Sequence, residues 1–239
     1  MAFGFKRQEL QGRYDVISIA EDDWHGYTGE MTAQILNRGL SSVHPRSAWL
    51  LNAGAGVYQV GMGHWNEVPL DLFLTPLRNR RNAICANVER LPFRSASIGA
   101  AVCVGEVLSY CDPAPAIREF ARVLAPSGIL ICDFASTRSP RYWFRRSYGR
   151  AADLVTDVYN GSLERTWAYD PQYINSLLRA AQFTVEETFG THSLSAVMRR
   201  LGGSPELGVR VQRLLGVVRL PPRFADLTTV VASRLSSST

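Results

Sequence analysis

The stretch Leu50-Leu51-Asn52-Ala53-Gly54-Ala55-Gly56 decides how the fold of this chain is interpreted. A short apolar run, of the length of a buried strand, ends in two glycines, which let the backbone turn sharply and approach a ligand closely. The N–H groups at the start of a following helix would favour an anionic group at this turn. Taken alone, the stretch indicates either a tight strand-to-helix turn or a ligand site.

Strand-like apolar runs alternate with helical patterns on the carboxyl side of this turn. Residues 114–124, for example, carry apolar side chains at helical spacing, with charges on the other face. We predict seven strands, at residues 48–51, 67–70, 83–86, 99–104, 128–134, 183–189 and 227–232. This order predicts an α/β fold of the Rossmann-like type, a seven-stranded sheet with helices on both faces.

The flanking segments extend this core, residues 47–135, into a single domain that spans residues 1–239. Residues 1–46 are predicted to be an N-terminal helical segment, with a helix over 28–40 that has Thr28 as its N-cap. Asp170 followed by Pro171 predicts the start of another helix. Residues 138–168 and 190–224 lack a regular pattern and are predicted to be insertions after the fifth and sixth strands.

Composition and charge narrow the class of protein. The formal net charge is +5, from 26 Lys and Arg against 21 Asp and Glu, and both signs are spread along the chain, which weakens a nucleic-acid role. The first residues lack the apolar core of a secretory signal, and no window has the roughly 20 apolar residues of a membrane span. The four cysteines have no CxxC spacing, which favours reduced thiols. These features predict a cytoplasmic protein.

An acidic residue, Asp71, ends the second predicted strand. A carboxylate at this point can accept hydrogen bonds from the paired hydroxyls of a ribose. The alternative is that Asp71 caps the next helix.

Three further segments resemble a known family. They are residues 87–93, which include Leu91-Pro92-Phe93; residues 98–110; and residues 117–128, which include Glu119-Phe120-Ala121-Arg122-Val123-Leu124. Together they resemble the class I S-adenosylmethionine-dependent methyltransferases of type 11, a family of small-molecule methyltransferases, over about residues 48–134. The last segment is the most specific.

This resemblance implies S-adenosylmethionine as the cofactor. The implied cofactor-binding residues are Asn52, Gly54, Gly56, Asp71, Leu72, Asn87, Val88 and Gly105. Within this set, the glycines of the first turn face the methionine end, Asp71 holds the ribose, and Asn87 with Val88 contacts the adenine. Glu106, just past the fourth strand, would lie close to the transferred methyl group and is a candidate catalytic residue.

The chain also departs from the family pattern. Asn52 and Asn87 stand where the family has acids, and Tyr58 stands at its third glycine. Asparagine keeps a hydrogen-bond acceptor but loses the charge that favours a cationic ligand. The stretch from Gly56 to Asp71 is short for the family and includes two more glycines, 61 and 63, so the first helix is predicted to be trimmed by about a turn. These departures leave open a non-catalytic binding or scaffold protein with the same fold.

The two insertions are predicted to form a cap over the acceptor. In the family topology the sixth strand runs with the others and the seventh against them, so both insertions leave from carboxyl ends, where ligands bind in such sheets. Residues 138–146 interleave arginines with aromatic rings, and could grip an anionic or aromatic small-molecule acceptor. The alternative is an amphipathic cap helix with inward aromatics and solvated arginines. A role on RNA or DNA is the lesser alternative.

A hydroxyl acceptor needs a general base. His192, just beyond the sixth strand, is the first candidate, because an imidazole can accept a proton near neutral pH. His25 and His64 are weaker candidates. The sequence shows no metal-binding constellation.

Overall fold

The computed structural model describes residues 23–41, 49–60, 65–159, 162–214 and 224–236. Its helices are α1 (Asp23–Ser41), α2 (Pro113–Val123), α3 (Pro171–Ala180), α4 (Ser193–Arg200) and α5 (Pro205–Leu214). Its strands are β1 (Trp49–Ala53), β2 (Asn66–Asp71), β3 (Ile84–Cys85), β4 (Ile98–Cys103), β5 (Leu124–Ala135), β6 (Ala152–Tyr159), β7 (Ser162–Tyr169), β8 (Phe183–Thr191) and β9 (Leu227–Arg234). Residues 1–22, 42–48, 61–64 and 215–223, which include parts of the predicted N-terminal and second cap segments, Gly61, Gly63 and His64, lie outside the described residues.

Seven of these strands form one sheet in the order β3-β2-β1-β4-β5-β9-β8. The neighbours from β3 to β5 are parallel, and β9 runs antiparallel to both β5 and β8. The predicted Rossmann-like sheet, with a sixth strand parallel to the others and a reversed seventh, is therefore confirmed.

Helices cover both faces of the sheet because the central strands are buried on both sides. On one face, α2 and α3 share one hydrophobic cluster with alternate residues of β4 such as Ala101 and Cys103. On the other face, the carboxyl half of α1 packs Leu40 on Ala100 and Val102. A strand buried on both faces is expected to be almost entirely apolar, as β4 is.

Local capping explains where two of the helices begin. Asp170 accepts a hydrogen bond from the backbone N–H of Gln172, and Pro171 follows it, so the predicted start of α3 is confirmed. The helix predicted over residues 28–40 is present as α1, but its predicted start was wrong, because the helix is already formed at Asp23 and Thr28 lies inside it. The Thr28 hydroxyl bonds instead to the carbonyl of Trp24, one turn earlier.

The connection from β1 to β2 differs from the expectation of a trimmed helix. Residues 54–60 and residue 65 contain no helix, and the connection is only 12 residues long in all. The described turn therefore lacks the helix N-terminus that was expected to favour an anion. Side-chain hydrogen bonds hold this connection instead, as described below.

The insertion after β5 is neither irregular throughout nor an amphipathic helix. It begins with a 3₁₀ turn at Pro140–Tyr142 and continues as the antiparallel hairpin of β6 and β7. The insertion after β8 contains α4 and α5, which pack against each other, and α4 also packs on the 3₁₀ turn. The two predicted cap segments thus meet at the carboxyl edge of the sheet.

None of the helices within the described residues is both long enough and apolar enough to cross a membrane.

Candidate functional site

The carboxyl ends of β1, β2 and β4 bring the predicted cofactor residues to one edge of the sheet. Since β1 lies between β2 and β4, Gly54 is flanked by Asp71 on one side and Gly105 on the other. Gly54, Gly56 and Gly105 all have positive φ, at 70°, 47° and 84°. Only glycine adopts such angles without a steric cost, so the turn chemistry predicted from the sequence is present.

The three glycines differ in how much space a side chain would have at each position. A methyl group added at Gly56 or Gly105 would meet nothing within 4 Å. One added at Gly54 would overlap the Val107 side chain. The turn is therefore open at two glycines and covered at the third by the residues that follow β4.

Asp71 lies at the end of β2 and is buried. Its Oδ2 accepts from the N–H of Gly56 at 2.9 Å, and its Oδ1 accepts from the N–H of Phe73 at 3.0 Å. The bond to Phe73 is the turn-capping role given above as the alternative, and the bond to Gly56 ties the carboxylate to the glycine turn. Each carboxylate oxygen can accept more than one hydrogen bond, so these contacts are compatible with a ribose contact.

Asn52 takes part in a network that holds the short connection after β1. Its amide donates to the carbonyl of Tyr58 at 3.1 Å and to Glu67 at 2.8 Å. Glu67 also accepts from the N–H of Val60, and it pairs with Arg80 at 3.1 Å. These side chains satisfy backbone groups that a helix would otherwise pair internally. The sequence analysis missed Glu67 and Arg80, because no local motif marks residues that meet only across two connections.

The residues predicted at the adenine end have mainly structural contacts. The Asn87 side-chain oxygen accepts from the N–H of Glu89 at 2.9 Å, closing an Asx turn, and Val88 belongs to the buried core. The carbonyl of Leu72 accepts from the thiol of Cys85 at 3.4 Å. The loop after β3 is thus preformed beside the end of β2.

The most family-specific segment serves to anchor the loop at residues 91–93. The Arg122 guanidinium donates to the carbonyls of Leu91 and Phe93 at 2.8 and 2.7 Å, and pairs with Glu119. Glu119 accepts from the N–H of Leu91 at 2.7 Å. The Arg122 side chain beside it lowers the pKa of Glu119, so the pair is ionised near neutral pH. This Glu119–Arg122 anchor therefore joins the two motif segments in the fold.

The loop after β4, residues 105–110, is attached to β5. Glu106 follows Gly105 in a left-handed conformation, with a φ of 62°. Its N–H donates to Asp133 at 2.7 Å, and the N–H of Gly105 donates to the other oxygen at 3.0 Å. Asp133 is fully buried, and this desolvation raises its pKa to about 6 against the opposing effect of the two N–H donors. The sequence analysis missed Asp133, which lies within an apolar strand.

His192 does not stand in an open loop. Its side chain is 1% exposed and stacks on Trp24 with ring centroids 3.7 Å apart. One ring nitrogen is hydrogen-bonded to Thr28 at 2.7 Å and the other to Ser195 at 3.1 Å. Burial lowers the pKa of His192 to about 3, with smaller contributions from nearby positive charge. These contacts favour a structural clasp between α1 and the cap over the predicted role of general base.

The other two histidine candidates, His25 and His64, gain no support as the general base. His25 lies in α1, next to the clasp residue Trp24, and His64 lies outside the described residues. Within the described residues, no group of His, Cys, Asp and Glu is arranged to hold a metal ion.

The arginine-rich segment divides into two parts. Arg138 pairs with Asp170, and Arg141 pairs with Asp226, each at 2.7 Å, so these two arginines fix the insertion to the domain. Arg145 and Arg146 are exposed. Arg138 and Arg141 are therefore neither free to bind an acceptor nor solvated arginines of a cap helix, the two alternatives given by the sequence. Of this segment's arginines, only Arg145 and Arg146 are available at the surface for an acceptor.

Comparison with known families finds a match within the core of the chain. Residues 57–132 match the type 11 family described as "Methyltransferase domain". The match confirms the resemblance inferred from the sequence over these residues, which are less than half of the chain.

Solved structures show the same fold at low sequence identity. The 1,6-didemethyltoxoflavin-N1-methyltransferase of Burkholderia thailandensis, solved with 1,6-didemethyltoxoflavin and S-adenosylhomocysteine, is 17% identical, with a TM-score of 0.58 over 96% of this chain and 87% of that chain. Geranyl diphosphate C-methyltransferase of Streptomyces coelicolor A3(2) is 14% identical, with a TM-score of 0.56 over 86% and 77%. The 4+2 cyclase SpnF is 16% identical, with a TM-score of 0.56 over 87% and 81%. The curated proteins include no match by sequence.

Proposed function

We propose that this protein binds S-adenosylmethionine at the carboxyl ends of β1, β2 and β4 and transfers a methyl group to a small-molecule acceptor. The contact between the N–H of Gly56 and the carboxylate of Asp71 supports this proposal most directly, because it joins a glycine turn to a buried acid across two adjacent strands. Two neighbours of the same fold were solved with S-adenosylhomocysteine. Their names describe small-molecule methyltransferases.

The residues present fit this cofactor at most points. Space is open beside Gly56 and Gly105, and Asp71 offers a carboxylate between them and the loop after β3. When bound, S-adenosylmethionine supplies an electrophilic methyl group on a sulfonium. In this proposal the glycines allow the cofactor to approach the backbone closely. Asp71 accepts hydrogen bonds from the ribose hydroxyls.

The rest of the chain has to position the acceptor and exclude water. The meeting of the 3₁₀ turn at Pro140–Tyr142 with α4 supports a cap at this edge, and Arg145 with Arg146 supports an anionic or aromatic acceptor. Positioning alone can lower the barrier substantially when the attacking atom is already a good nucleophile. Because His192 is buried and hydrogen-bonded at both nitrogens, we propose Glu106 rather than His192 as the base for a hydroxyl acceptor.

Titration of the protein with S-adenosylhomocysteine at up to millimolar concentration tests the proposed function. We expect measurable heat and a raised melting temperature, because a ligand that binds only the folded state stabilises it. No heat and no thermal shift would contradict cofactor binding.

Replacing Asp71 with alanine should weaken S-adenosylhomocysteine binding tenfold or more. The loss of charge-assisted hydrogen bonds to the ribose is worth about 1.5 to 3 kcal/mol. Calorimetric titration measures the change, and circular dichroism checks that the variant is folded. The matched control is Asp112→Ala, which removes an aspartate that caps α2 through the N–H of Ala114. Equal affinity in folded Asp71→Ala would show that Asp71 serves only the turn.

Replacing Arg145 and Arg146 with alanine should lower methyl transfer to the acceptor at least about tenfold, with cofactor affinity nearly unchanged. The two ligands are proposed to contact separate walls of the cleft. Acceptors would be sought by incubating metabolite fractions with S-adenosylmethionine labelled in its methyl group. The double variant Arg94→Ala/Arg118→Ala removes two exposed arginines away from the cap and is the charge-matched control. Tight RNA binding that falls steeply with salt and is lost in Arg145→Ala/Arg146→Ala would instead indicate a nucleic-acid substrate.

A non-catalytic scaffold is the second candidate function. Two observations favour it: the described part of the β1–β2 connection has no helix, and Val107 covers Gly54. The neighbour named as a cyclase is a reminder that this fold does not by itself define methyl transfer. The titration described above separates the two candidates, since a scaffold of this kind would bind no cofactor.

A further inference from the structure

Asp133 is a charged residue in a position where charge is unfavourable. It lies on β5 between Cys132 and Phe134, and all three side chains are fully buried. A buried carboxylate loses its hydration, and this loss is recovered only through well-formed hydrogen bonds. The two N–H groups that donate to it both belong to the loop at residues 105–110.

The loop that Asp133 holds has an unfavourable backbone conformation. Gly105 and Glu106 follow each other with φ angles of 84° and 62°. Glycine accepts this conformation freely, but for Glu106 it brings the Cβ close to the backbone. Such a conformation persists when the surroundings impose it, and here the two oxygens of Asp133 fix the two successive N–H groups.

The same loop forms one wall of the proposed cofactor site. Its next residue, Val107, packs on Gly54 at the end of β1. Ser109 makes a second attachment to β5 by accepting a hydrogen bond from the N–H of Ala135 at 3.1 Å. Loss of the first attachment would leave Gly105, Glu106 and Val107 free to move relative to the glycine turn, while the second still holds the far end of the loop.

We infer that Asp133 is a positioning residue for the cofactor: its carboxylate fixes the backbone of residues 105–107 and so shapes the wall of the site that faces Gly54. It acts through the N–H groups of Gly105 and Glu106 and does not contact the ligand. The inference rests on the proposed function, because the wall matters only if the cofactor binds there.

The experiment compares Asp133→Asn with the wild-type protein and with the control Thr228→Val. Thr228 lies on β9 opposite Phe134, next to Asp133 in the sheet, and its buried hydroxyl has no hydrogen-bond partner among the described residues. The control therefore changes a buried polar group in the same region without touching the loop. Asparagine keeps the shape of Asp133 but presents an NH₂ group to one of the two N–H donors.

Two measurements are made on the free protein and with S-adenosylhomocysteine. Amide hydrogen exchange by NMR should be at least tenfold faster at Gly105 and Glu106 in Asp133→Asn, and unchanged in Thr228→Val. Calorimetric affinity for S-adenosylhomocysteine should fall at least tenfold in Asp133→Asn and stay within twofold in Thr228→Val. Unchanged exchange at the two amides in folded Asp133→Asn, or faster exchange with unchanged affinity, overturns the inference. Wild-type protein that binds no S-adenosylhomocysteine contradicts the proposed function itself and removes the inference with it.

A measurement on the wild-type protein covers the case in which Asp133→Asn does not fold. Protonation of Asp133 weakens it as an acceptor, so exchange at Gly105 and Glu106, corrected for the intrinsic effect of pH, should accelerate as the pH falls through about 6. The neighbouring titratable groups are the Cys103 thiol on β4 and the Cys132 thiol on β5, whose pKa values are raised by burial, and Glu106 in the loop itself. Corrected exchange that is flat from pH 8 to 5 overturns the inference.

Discussion

Replacing His192 with asparagine should remove a large part of the acid sensitivity of the folded protein. The pKa of His192 is lowered from 6.5 to about 3 by burial, so the unfolded chain binds a proton at a pH where the folded one does not. This contribution to stability is complete above pH 6.5 and is lost as the pH falls, by about 2 kcal/mol at pH 5 and about 4 kcal/mol at pH 3. Asparagine tolerates the left-handed backbone of this position, whose φ is 63°.

The measurement is the free energy of unfolding by urea at several pH values, compared between the variant and the wild type. The comparison is needed because Asp133 acts in the opposite sense. The pKa of Asp133 is raised to about 6 in the folded protein. Its contribution to stability is therefore present at pH values below the pKa of the group in the unfolded chain, and it is lost as the pH rises through 6. Thr28→Val removes one hydrogen bond to His192 and keeps the imidazole, so it should lower stability while retaining the wild-type pH dependence. Parallel curves for His192→Asn and the wild type would show that His192 is not the titrating group.

Replacing Gly54 with alanine should destabilise the protein by about 2 to 5 kcal/mol. About 1 to 2 kcal/mol comes from forcing a Cβ into the left-handed conformation, whose φ is 70°. The remaining 1 to 3 kcal/mol or so comes from the overlap of the new methyl group with Val107.

Gly56→Ala is the matched control for this change. Gly56 also has a positive φ, but a methyl group there meets open space, so only the conformational cost of about 1 to 2 kcal/mol should appear. Urea unfolding with an unchanged m-value measures both variants. Equal losses in the two variants would mean that Val107 moves away from Gly54 without cost.

The sheet was predictable from the sequence because buried parallel strands have an almost continuous apolar pattern. The strand ranges agree with the structure to within a few residues, except that β5 begins at Leu124, before its predicted start at residue 128. The hairpin of β6 and β7 was missed because it pairs outside the main sheet, and its strands have neither a continuous apolar run nor a strict alternation of polar and apolar residues. The early start of α1 was missed because Thr28 resembles an N-cap when its tertiary partner, His192, is not known.

The candidate site was only partly predictable. The glycine turn and Asp71 are local signals, and their placement on adjacent strands follows from the sheet order. The side chains that hold the site, Glu67 and Asp133, meet their partners across 7 to 28 residues of sequence, so no short motif contains them. The sequence also favoured His192 as a base because burial, which decides its protonation, is a property of the packed structure.

The anchor formed by Glu119 and Arg122 changes what a match to the family signature means. The signature residues hold the backbone of Leu91 and Phe93, which is a role in the fold. A chain could lose its catalytic residues and still keep this signature, because the loop would still need its anchor. Searches that weight this segment will therefore group proteins by shared architecture, and sorting the group by chemistry requires the residues that line the cleft.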